Sequence, residues 1–347
     1  MTGSARKSIP ATLIPGDGIG PEVVEATLLA LDAVGAPFAW ETHLAGMAAL
    51  DKLGDPLPAE TIASVNRTQL ALKGPLTTPV GKGFRSINVR LRAEFKLFAN
   101  VRPARTFMPG GRFEDVDLVM IRENLEGFYV GFEHYIEVGD DPKAVAQATG
   151  FNTRRGCERI AKYTFDYAVK HGRKKVTIVH KANILKVLTG LFLDTAQEVG
   201  QFYADRLQIE ERIVDNCAMQ LVLNPSQFDV IVTTNMFGDI LSDLMAGLVG
   251  GLGLAPSGNI GKRVALFEAV HGSAPDIAGK GIANPTALML ASAMMLDHVG
   301  EDQRAERLRT AVYAVLCEDK IKTADLGGTA NTQEFARAVC ARLQAQS

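Results

Sequence analysis

Cysteine is scarce in this sequence, with four residues among 347. The four are widely spaced and form neither a CxxC pair nor a Cys/His group at zinc-binding spacing: Cys157, Cys217, Cys317 and Cys340. This distribution favours free thiols in a reducing compartment over a disulfide framework or a structural zinc site. The first ten residues, MTGSARKSIP, are too polar to resemble a signal peptide, so we expect a cytoplasmic location.

The sequence also lacks an excess of charge of either sign and a long apolar run. It has 37 Lys and Arg residues against 39 Asp and Glu, which makes the formal net charge −2 at pH 7. Such a chain has no global positive field to attract nucleic acid or an anionic membrane surface. Its apolar stretches are interrupted well before membrane-spanning length. We therefore expect neither nucleic acid nor membrane as a partner, and a polyanionic ligand would need locally concentrated positive side chains.

A third missing feature is the dinucleotide-binding fingerprint G-x-G-x-x-G. The segment IPGDGIGPE carries Gly16, Gly18 and Gly20 at a different spacing, and no acidic residue follows at the required distance. A standard Rossmann cofactor site is therefore not predicted.

What the sequence does contain is ordinary globular composition, with 47% hydrophobic and 22% charged residues, and a length that favours two domains. Strand-like and helix-like segments alternate along most of the chain, which predicts an α/β fold with a largely parallel sheet. A first helix is predicted to begin at Pro21 and to stop near Gly35. The strands are predicted within SIPATLIPGDGIG, TQLALKG, DVDLVMIREN, KKVTIVHKAN, FDVIVTTNMF and RVALFEAVHG.

Each predicted strand ends in an abrupt change to polar or charged residues, and ligands of open α/β sheets bind beyond these carboxyl ends. Residues 134–150 fit neither the strand nor the helix period, and we interpret them as an excursion or an intersubunit element. The glycine-rich residues 247–262 are interpreted as a hinge or a crossing between domains.

Arginines near the ends of elements form the first candidate binding group. Asn88 and Arg92 are four residues apart and share one face of a predicted helix, for which Ser86 is a suitable N-cap. Arg102 follows a strand-like run, and Arg122 closes the apolar run DLVMI. Arginine forks match the planar geometry of carboxylates. The alternative is that these are ordinary surface arginines.

Two aspartates in NMFGDILSD form a candidate metal site. Asp239 and Asp243 are four residues apart on a predicted helix that follows a strand, and Asp215, after LQIEERIV, is a third candidate. Mg²⁺ and Mn²⁺ prefer such oxygen ligands, and Mg²⁺ commonly takes one or two protein carboxylates together with substrate oxygens. The alternative is an acidic first helical turn that complements the helix dipole, or Asp239 as a simple cap.

Lys181 and Tyr129 are candidates for proton transfer. Lys181 stands at the end of the strand-like run VTIVHK, and Tyr129 lies seven residues beyond Arg122. A lysine or tyrosine near positive charges can have its pKa lowered toward neutrality. Taken singly, Tyr129 is more readily interpreted as a half-buried packing residue than as a proton donor.

The loop EAVHGSAPDIAGKGIANP follows the last predicted strand. Gly272, Gly279 and Gly281 permit a ligand to approach the backbone closely. Asp276 is able to accept hydrogen bonds from ribose hydroxyls and would repel a 2′-phosphate.

Seven segments of this chain, in order, resemble the β-decarboxylating dehydrogenases of 2-hydroxy acids, a family that includes isocitrate, isopropylmalate, homoisocitrate and tartrate dehydrogenases. The resemblance covers nearly the whole chain. The segments are IPGDGIGPE, KGPLTTPVGKGFRSINVRLR, FANVRP, IRENLEGFY, HKANILK, NMFGDILSD and HGSAPDIAGKGIANP.

The resemblance implies a two-domain α/β sandwich with a cofactor site that is not of the Rossmann type. It implies a large domain of residues 1–100 plus 250–347, which carries the cofactor loops, and a small domain of residues 101–249, which carries the dimer interface. It also implies a homodimer in which the active sites are shared between the subunits.

The same resemblance assigns roles to the candidate residues. Arg92, Arg102 and Arg122 would bind substrate carboxylates. Asp239 and Asp243, with the partner subunit's Asp215, would hold Mg²⁺ or Mn²⁺. Tyr129 and the partner subunit's Lys181 would form the proton-transfer pair.

The residues before Arg92 bear on the choice of substrate. Isopropylmalate dehydrogenases carry a leucine pair there, whereas this chain has Ser86, Asn88 and Val89. A hydroxyl and an amide can hydrogen-bond a third carboxylate, while leucines would leave it unpaired at a cost of roughly 2–7 kcal/mol. The pattern predicts isocitrate as the substrate. Homoisocitrate and isopropylmalate remain the alternatives, as does a non-catalytic regulatory subunit of a hetero-oligomeric isocitrate dehydrogenase.

The resemblance also predicts NAD as the cofactor. NADP-dependent members carry a Lys-Tyr pair where this chain has Asp276 and Ile277. A carboxylate cannot stabilise a 2′-phosphate but can bind a free 2′-hydroxyl. The residues predicted to line the cofactor site are Thr78, His271, Gly272, Ser273, Ala274, Asp276, Ile277, Asn284 and Asp325.

Overall fold

A computed structural model describes residues 8–78, 86–107 and 112–346 of the chain. These residues divide into two compact units. Unit 1 falls within Met1–Lys96, Arg105–Glu114 and Ala246–Ser347, and unit 2 within Leu97–Ala104 and Asp115–Met245. The described residues of the segment 105–114 therefore group with those near the chain ends. The predicted domain ranges stay a prediction.

The fold is α/β, as predicted, and helices and strands alternate along the described residues. The strands are β1 (Ile9–Ile14), β2 (Phe38–Thr42), β3 (Leu70–Lys73), β4 (Ala99–Arg105), β5 (Asp117–Glu123), β6 (Gly127–Val138), β7 (Asp141–Phe151), β8 (Lys175–His180), β9 (Gln208–Ile213), β10 (Val230–Thr233), β11 (Pro256–Ile260) and β12 (Ala265–Ala269). The α-helices are α1 (Gly20–Ala33), α2 (Met47–Leu53), α3 (Ala59–Thr68), α4 (Ile87–Glu94), α5 (Arg154–Lys170), α6 (Leu188–Gly200), α7 (Val214–Leu223), α8 (Asn235–Leu248), α9 (Thr286–His298), α10 (Asp302–Cys317) and α11 (Thr332–Ala345). Short 3₁₀ helices lie at Gln201–Tyr203, Pro225–Gln227, Leu252–Leu254 and Ala324–Leu326.

The strands of unit 1 follow the order β2-β1-β3-β12-β11. Neighbours are parallel except for β11 and β12, which are antiparallel. Every residue of β3 and of β12 is buried, which explains why these strands appear in the sequence as short apolar runs without alternation. Helix α9 packs on β11 and β12, and it is buried on nearly all sides because α1 and α10 cover its other faces.

The strands of unit 2 follow the order β4-β5-β10-β8-β9, and the pairs β5–β10, β10–β8 and β8–β9 are parallel. Strand β10 is fully buried, and β5 is buried from Leu118 to Glu123. Helix α5 packs on β5, β8 and β10. Arg122 pairs in register with Thr233, so the carboxyl ends of β5 and β10 lie side by side.

The residues that fitted no period form part of a long antiparallel hairpin. Strands β6 and β7 pair with each other in a sheet of two strands, and their side chains are largely exposed from Phe132 onward. The interpretation as an excursion is thus confirmed. A hairpin of two strands is at best marginally stable alone in water, and this one exposes apolar side chains such as Phe132, Tyr135 and Val138. An intersubunit role for the hairpin stays a prediction.

The first helix begins one residue before Pro21 and ends two residues before Gly35, close to the predicted bounds. Each of the six predicted strands is present. Within residues 8–78, 86–107 and 112–346, no helix combines the length and the apolar character needed to cross a membrane.

Candidate active site

The guanidinium of Arg122 is the centre of a polar cluster in unit 2. The Arg122 side chain leaves the carboxyl end of β5 and is fully buried. Its Nε and Nη2 both donate to Oδ1 of Asn235, at 2.9 and 2.7 Å, and its Nη1 donates to the carboxylate of Asp239. The ring of Tyr129 lies 5.3 Å from the guanidinium carbon. Arg122 is therefore a buried cation held by one neutral and one charged partner, not a surface arginine.

Arg102 lies in the same cluster. Its Nε donates to Asn100 at 2.8 Å, and its Nη1 donates to the Ser242 hydroxyl at 2.6 Å. The Nη1 atom also lies 3.5 Å from Asp239 and 3.6 Å from Asp243. The expectation that Arg102 follows a strand is wrong, because it lies within β4, where its neighbours hold the guanidinium below the surface.

Asp239 and Asp243 lie one turn apart on α8 and face the two arginines. Helix α8 begins at Asn235, so neither aspartate is in the first turn, and the alternatives of a dipole complement or a helix cap are wrong. The hydroxyl of Tyr129 donates to Oδ2 of Asp239 at 2.6 Å. Partial burial raises the pKa of Asp243, the charge of Arg102 opposes this, and the Asp239 carboxylate adds to it.

The donor set of this pair fits a hard divalent cation. The side chains of Asp239 and Asp243 are 35% and 57% exposed, so carboxylate oxygens on one helix face remain accessible to an ion. Mg²⁺ binds proteins through one or two carboxylates and completes its shell with water and substrate oxygens. Within the described part of one chain, no group of three Asp, Glu, His or Cys residues is placed to hold a metal. Asp215 is thus not grouped with Asp239 and Asp243 in a single chain.

Lys181 and Asp215 form a second polar pair in unit 2. Lys181 directly follows β8, and Asp215 lies in the first turn of α7. The Lys181 Nζ donates to Oδ1 of Asp215 at 2.5 Å, and this bond lowers the pKa of the Asp215 carboxyl. The two residues assigned by resemblance to the partner's contribution are therefore neighbours, while their position in a second subunit stays a prediction.

In unit 1, helix α4 carries the residues predicted to select the substrate. Asn88 and Arg92 are both half-buried, and Arg90 between them is exposed, as expected. The Oδ1 of Asn88 and the Nε of Arg92 are buried and have no hydrogen-bond partner among the described residues. A buried polar atom left unpaired costs about 1–3 kcal/mol, so both atoms mark a place for a polar ligand.

Ser86 occupies the N-cap position of α4, but its side chain does not cap the helix. Ser86 therefore stands at the predicted N-cap position, but the predicted hydrogen bond from its side chain to the helix is not made. Its Oγ instead accepts a hydrogen bond from the Thr78 hydroxyl at 3.3 Å. This contact links one residue predicted for the substrate to one predicted for the cofactor, both in unit 1.

A buried ionic group of unit 1 supports Arg92. Glu268 of β12 lies 3.6 Å from Nη2 of Arg92 and 2.7 Å from Nζ of Lys73, and it accepts a bond from Asn259 at 2.7 Å. Burial raises the pKa of Glu268, but the charges of Lys73 and Arg92 outweigh it and lower the pKa to about 2. The carboxylate is therefore ionised, and it holds Arg92 on one side.

The loop after β12 holds most of the residues predicted for the cofactor. His271 Nδ1 bonds the Gly272 carbonyl at 3.0 Å, while its Nε2 is buried without a partner among the described residues. Burial lowers the pKa of His271, which favours the neutral imidazole. Ser273 Oγ lies 2.7 Å from the Thr77 hydroxyl, and Ala274 adopts a φ of 38°, unusual for a residue other than glycine.

Gly18 shows why the glycine segment IPGDGIGPE has its spacing. A Cβ at Gly18 would lie 2.0 Å from the carbonyl oxygen of Ser273, and the residue has a φ of 58°. The glycine therefore lets the β1–α1 turn pack against the loop after β12.

The remaining cofactor residues lie around the same loop. The Nδ2 of Asn284 donates to Oδ2 of Asp325 at 2.9 Å, so these two predicted residues are neighbours. Asp276 is exposed and Ile277 is half-buried, and Thr78 is also exposed. Asp276 is thus accessible to a ligand.

Several residues of these clusters were missed in the sequence. Asn235, Ser242 and Asn100 are polar residues in otherwise apolar surroundings, and only the fold shows that they face the two arginines. Lys73 and Glu268 carried a stronger signal, since each is a charged residue within a short strand-like run. The seven motifs of the resemblance included several of these residues but gave no role to any.

Comparisons with known proteins identify the family of the chain. The isocitrate/isopropylmalate dehydrogenase family matches residues 11–339. The chain is 49% identical, over 98% of its length and 90% of the relative's, to the protein named isocitrate dehydrogenase [NAD] catalytic subunit 5, mitochondrial, of Arabidopsis thaliana. It is 48% identical, over 90% of its length and 87% of the relative's, to the chloroplastic 3-isopropylmalate dehydrogenase of Solanum tuberosum.

A solved structure shows the same similarity. The crystal structure of isocitrate dehydrogenase from Methylococcus capsulatus matches with a TM-score of 0.93 and 52% identity, over 96% of this chain and 99% of that one. The chain belongs to the isocitrate/isopropylmalate dehydrogenase family.

Gly238 on α8 yields a prediction for the arginine cluster. A Cβ there would lie 2.6 Å from Cγ and 2.7 Å from Cβ of Arg122, atoms near the backbone of a fully buried side chain. Gly238→Ala should therefore displace the guanidinium and lower kcat/KM for the acid substrate by about tenfold or more, in line with the cost of overpacking. Steady-state kinetics at saturating cofactor measure this effect.

Gly247→Ala is the matched control, since Gly247 lies on the same helix and an added Cβ would meet no atom within 4 Å. This control should keep its kcat/KM and gain helix stability of up to about 1 kcal/mol. Equal kinetics for Gly238→Ala and the wild type would contradict the prediction.

Proposed function

We propose that this chain catalyses the NAD-dependent oxidative decarboxylation of isocitrate to 2-oxoglutarate and CO₂, with Mg²⁺ or Mn²⁺ as its metal. The observation that supports this choice of substrate is a pair of buried atoms on α4, Asn88 Oδ1 and Arg92 Nε, that have no hydrogen-bond partner in the described part of the chain. A carboxylate would satisfy this polar face once the Asn88 amide presents its NH₂ group. An isopropyl group would leave both residues buried and unpaired.

The charge of the substrate is also matched. Isocitrate is a trianion, and Arg92, Arg102 and Arg122 supply three guanidinium groups in a chain whose net charge is only −2.

The metal is assigned to Asp239 and Asp243, with the partner subunit's Asp215 as the third carboxylate. Asp239 and Asp243 would hold the ion, which would supply Lewis acidity when bound, while NAD would supply the acceptor for the C2 hydride. Arg102 and Arg122 lie beside the two aspartates and orient the substrate carboxylates toward them.

Proton transfer is assigned to Lys181 and Tyr129. The neutral amine of the partner subunit's Lys181 would take the proton of the C2 hydroxyl as hydride leaves C2 for NAD, and the ammonium so formed would be stabilised by its contact with Asp215. After CO₂ departs, Tyr129 protonates C3. Its hydroxyl is already fixed by Asp239, which places the donor beside the metal site.

The NAD assignment is supported by Asp276, an exposed carboxylate able to bind a free 2′-hydroxyl and to repel a 2′-phosphate. The Asn284–Asp325 pair and the Nε2 of His271, which has no partner within residues 8–78, 86–107 and 112–346, offer polar contacts to the rest of the cofactor. The Arabidopsis relative is also named as an NAD enzyme.

The homodimer is supported by two observations. Asp215 is not grouped with the other two aspartates in the described part of one chain. Unit 2 also exposes large apolar side chains, among them Ile184, Val187 and Ile240, which a subunit interface would cover. The cytoplasmic location is proposed with it, on the amino-acid sequence alone.

An isopropylmalate dehydrogenase is the second candidate, because the Solanum relative with that activity in its name is nearly as similar. Homoisocitrate dehydrogenase and a regulatory subunit rank behind it. A regulatory subunit needs no intact proton-transfer and metal residues, whereas all five are present here: Tyr129, Lys181, Asp215, Asp239 and Asp243.

The purified chain should turn over isocitrate with NAD and Mg²⁺, with the highest kcat/KM among isocitrate, homoisocitrate, isopropylmalate and tartrate. Steady-state rates with NAD and with NADP make the measurement. A homogeneous preparation that is inert with every acid would reject the enzyme, and a higher kcat/KM for isopropylmalate would select the second candidate.

Asn88→Leu should lower kcat/KM for isocitrate by about tenfold or more and affect isopropylmalate less, because a site built to hydrogen-bond a group loses most when that bond is removed. Arg90→Ala is the matched control, since Arg90 lies on the same helix and is exposed. An unchanged ratio between the two acids in Asn88→Leu would count against isocitrate.

The double variant Asp276→Lys with Ile277→Tyr should shift the NADP-to-NAD ratio of kcat/KM by about tenfold or more toward NADP, since a lysine pairs with the 2′-phosphate. Asp51→Lys, at an exposed position of α2, makes the same change of charge elsewhere and should leave the ratio unaltered. Retained NAD preference in the double variant would place the specificity on other residues.

A further inference from the structure

We propose that Asn235 is a positioning residue, which fixes the guanidinium of Arg122 for substrate binding without neutralising its charge. The inference rests on the proposed role of Arg122 in the reaction. It concerns the first residue of α8, which the motif NMFGDILSD contains but to which the chemistry above assigns no part.

The contact between the two residues is bifurcated. The side-on edge of the guanidinium, formed by Nε and Nη2, donates both hydrogens to the single Oδ1 atom of Asn235, at 2.9 and 2.7 Å. Both side chains are buried, with residue exposures of 0% for Arg122 and 2% for Asn235. Two bonds to one acceptor fix the plane of the guanidinium, so the Nη1 end is directed toward Asp239 and the metal ligands.

The amide of Asn235 is itself held in one orientation. Its Nδ2 donates to the carbonyl of Glu126 at 3.0 Å. A carbonyl can only accept, so the amide must turn its oxygen toward Arg122. Glu126 is in turn fixed, because its carboxylate accepts bonds from the backbone N–H and the hydroxyl of Thr153 at 2.7 and 2.6 Å.

The neutrality of Asn235 is the second part of the argument. A buried guanidinium needs partners, and the Asp239 carboxylate already offsets part of the charge of Arg122, so a second carboxylate at position 235 would weaken its attraction for a substrate carboxylate. An aspartate at 235 would in addition place an oxygen against the Glu126 carbonyl, which the amide now satisfies. Asparagine is the residue of this shape that holds Arg122 and leaves it cationic.

The test compares Asn235→Ala and Asn235→Asp with wild type, using the acid that the wild type oxidises, NAD and Mg²⁺. We expect the KM of the acid to rise about tenfold to a hundredfold in Asn235→Ala, while the KM of NAD stays within about twofold, because a hydrogen bond to a charged group is removed from one binding group only. Asn235→Asp should have a lower kcat/KM than Asn235→Ala, although it restores an acceptor to Arg122.

Asn152→Ala is the matched control. Asn152 and Asn235 both line a small cavity of about 20 Å³ in unit 2. The side chain of Asn152 donates to the Leu188 carbonyl at 2.8 Å and forms no hydrogen bond with Arg122. This variant should lose stability but keep the KM of the acid. Three results would overturn the proposal: an unchanged KM in Asn235→Ala, wild-type kinetics in Asn235→Asp, or an equal rise of KM in Asn152→Ala.

A crystal structure of Asn235→Ala separates this inference from the proposed function. Displacement of the Arg122 guanidinium supports the positioning role, and a guanidinium retained in its place overturns it, whatever the activity. A wild-type chain that oxidises none of the acids would instead reject the proposed function and leave the crystallographic outcome decisive for Asn235.

Discussion

The burial of the Arg122 guanidinium is the constraint on which unit 2 depends. A cation removed from water needs partners of good geometry, and this one has Asn235, Asp239 and the face of Tyr129. These partners come from α8 and from the start of β6, so satisfying one charge aligns the elements that carry the proposed metal ligands and the proposed proton donor. The absence of a side chain at Gly238 makes room for the stem of the arginine.

Unit 1 also contains buried cationic side chains, but there a buried carboxylate lies between two of them. Glu268 is ionised between Lys73 and Arg92, which neutralises part of a buried positive group. Among the described residues, the buried Oδ1 of Asn88 and the buried Nε of Arg92 on α4 have no hydrogen-bond partner. In both units, then, arginines are held from one side by protein groups. The proposed chemistry assigns their other side to the substrate.

Much of the fold could be predicted because its signals are local. Strands such as β5 and β10 are buried on both faces, so they appear in the sequence as apolar runs. Ligands of open α/β sheets bind beyond the carboxyl ends of the strands, which made Arg122, Lys181 and Asp239 candidate site residues. The hairpin β6–β7 could not be predicted in the same way, because its exposed strands lack the alternation that a core face imposes. Arg102 is predicted to follow a strand but lies inside β4. Its buried guanidinium is paired with Asn100 and Ser242, and Ser242 lies too far along the chain to be recognised from the sequence.

The sequence by itself determined the α/β class, the family and the identity of the arginines and aspartates, and the missing fingerprint excluded a Rossmann cofactor site. These conclusions depend on the types and spacing of residues within short stretches of the sequence. Only the tertiary structure decided that Asn235 holds Arg122, that Glu268 pairs with Lys73, and that Lys181 meets Asp215. Each of these pairs joins residues 34 or more positions apart, and no local pattern encodes a partner at such a distance.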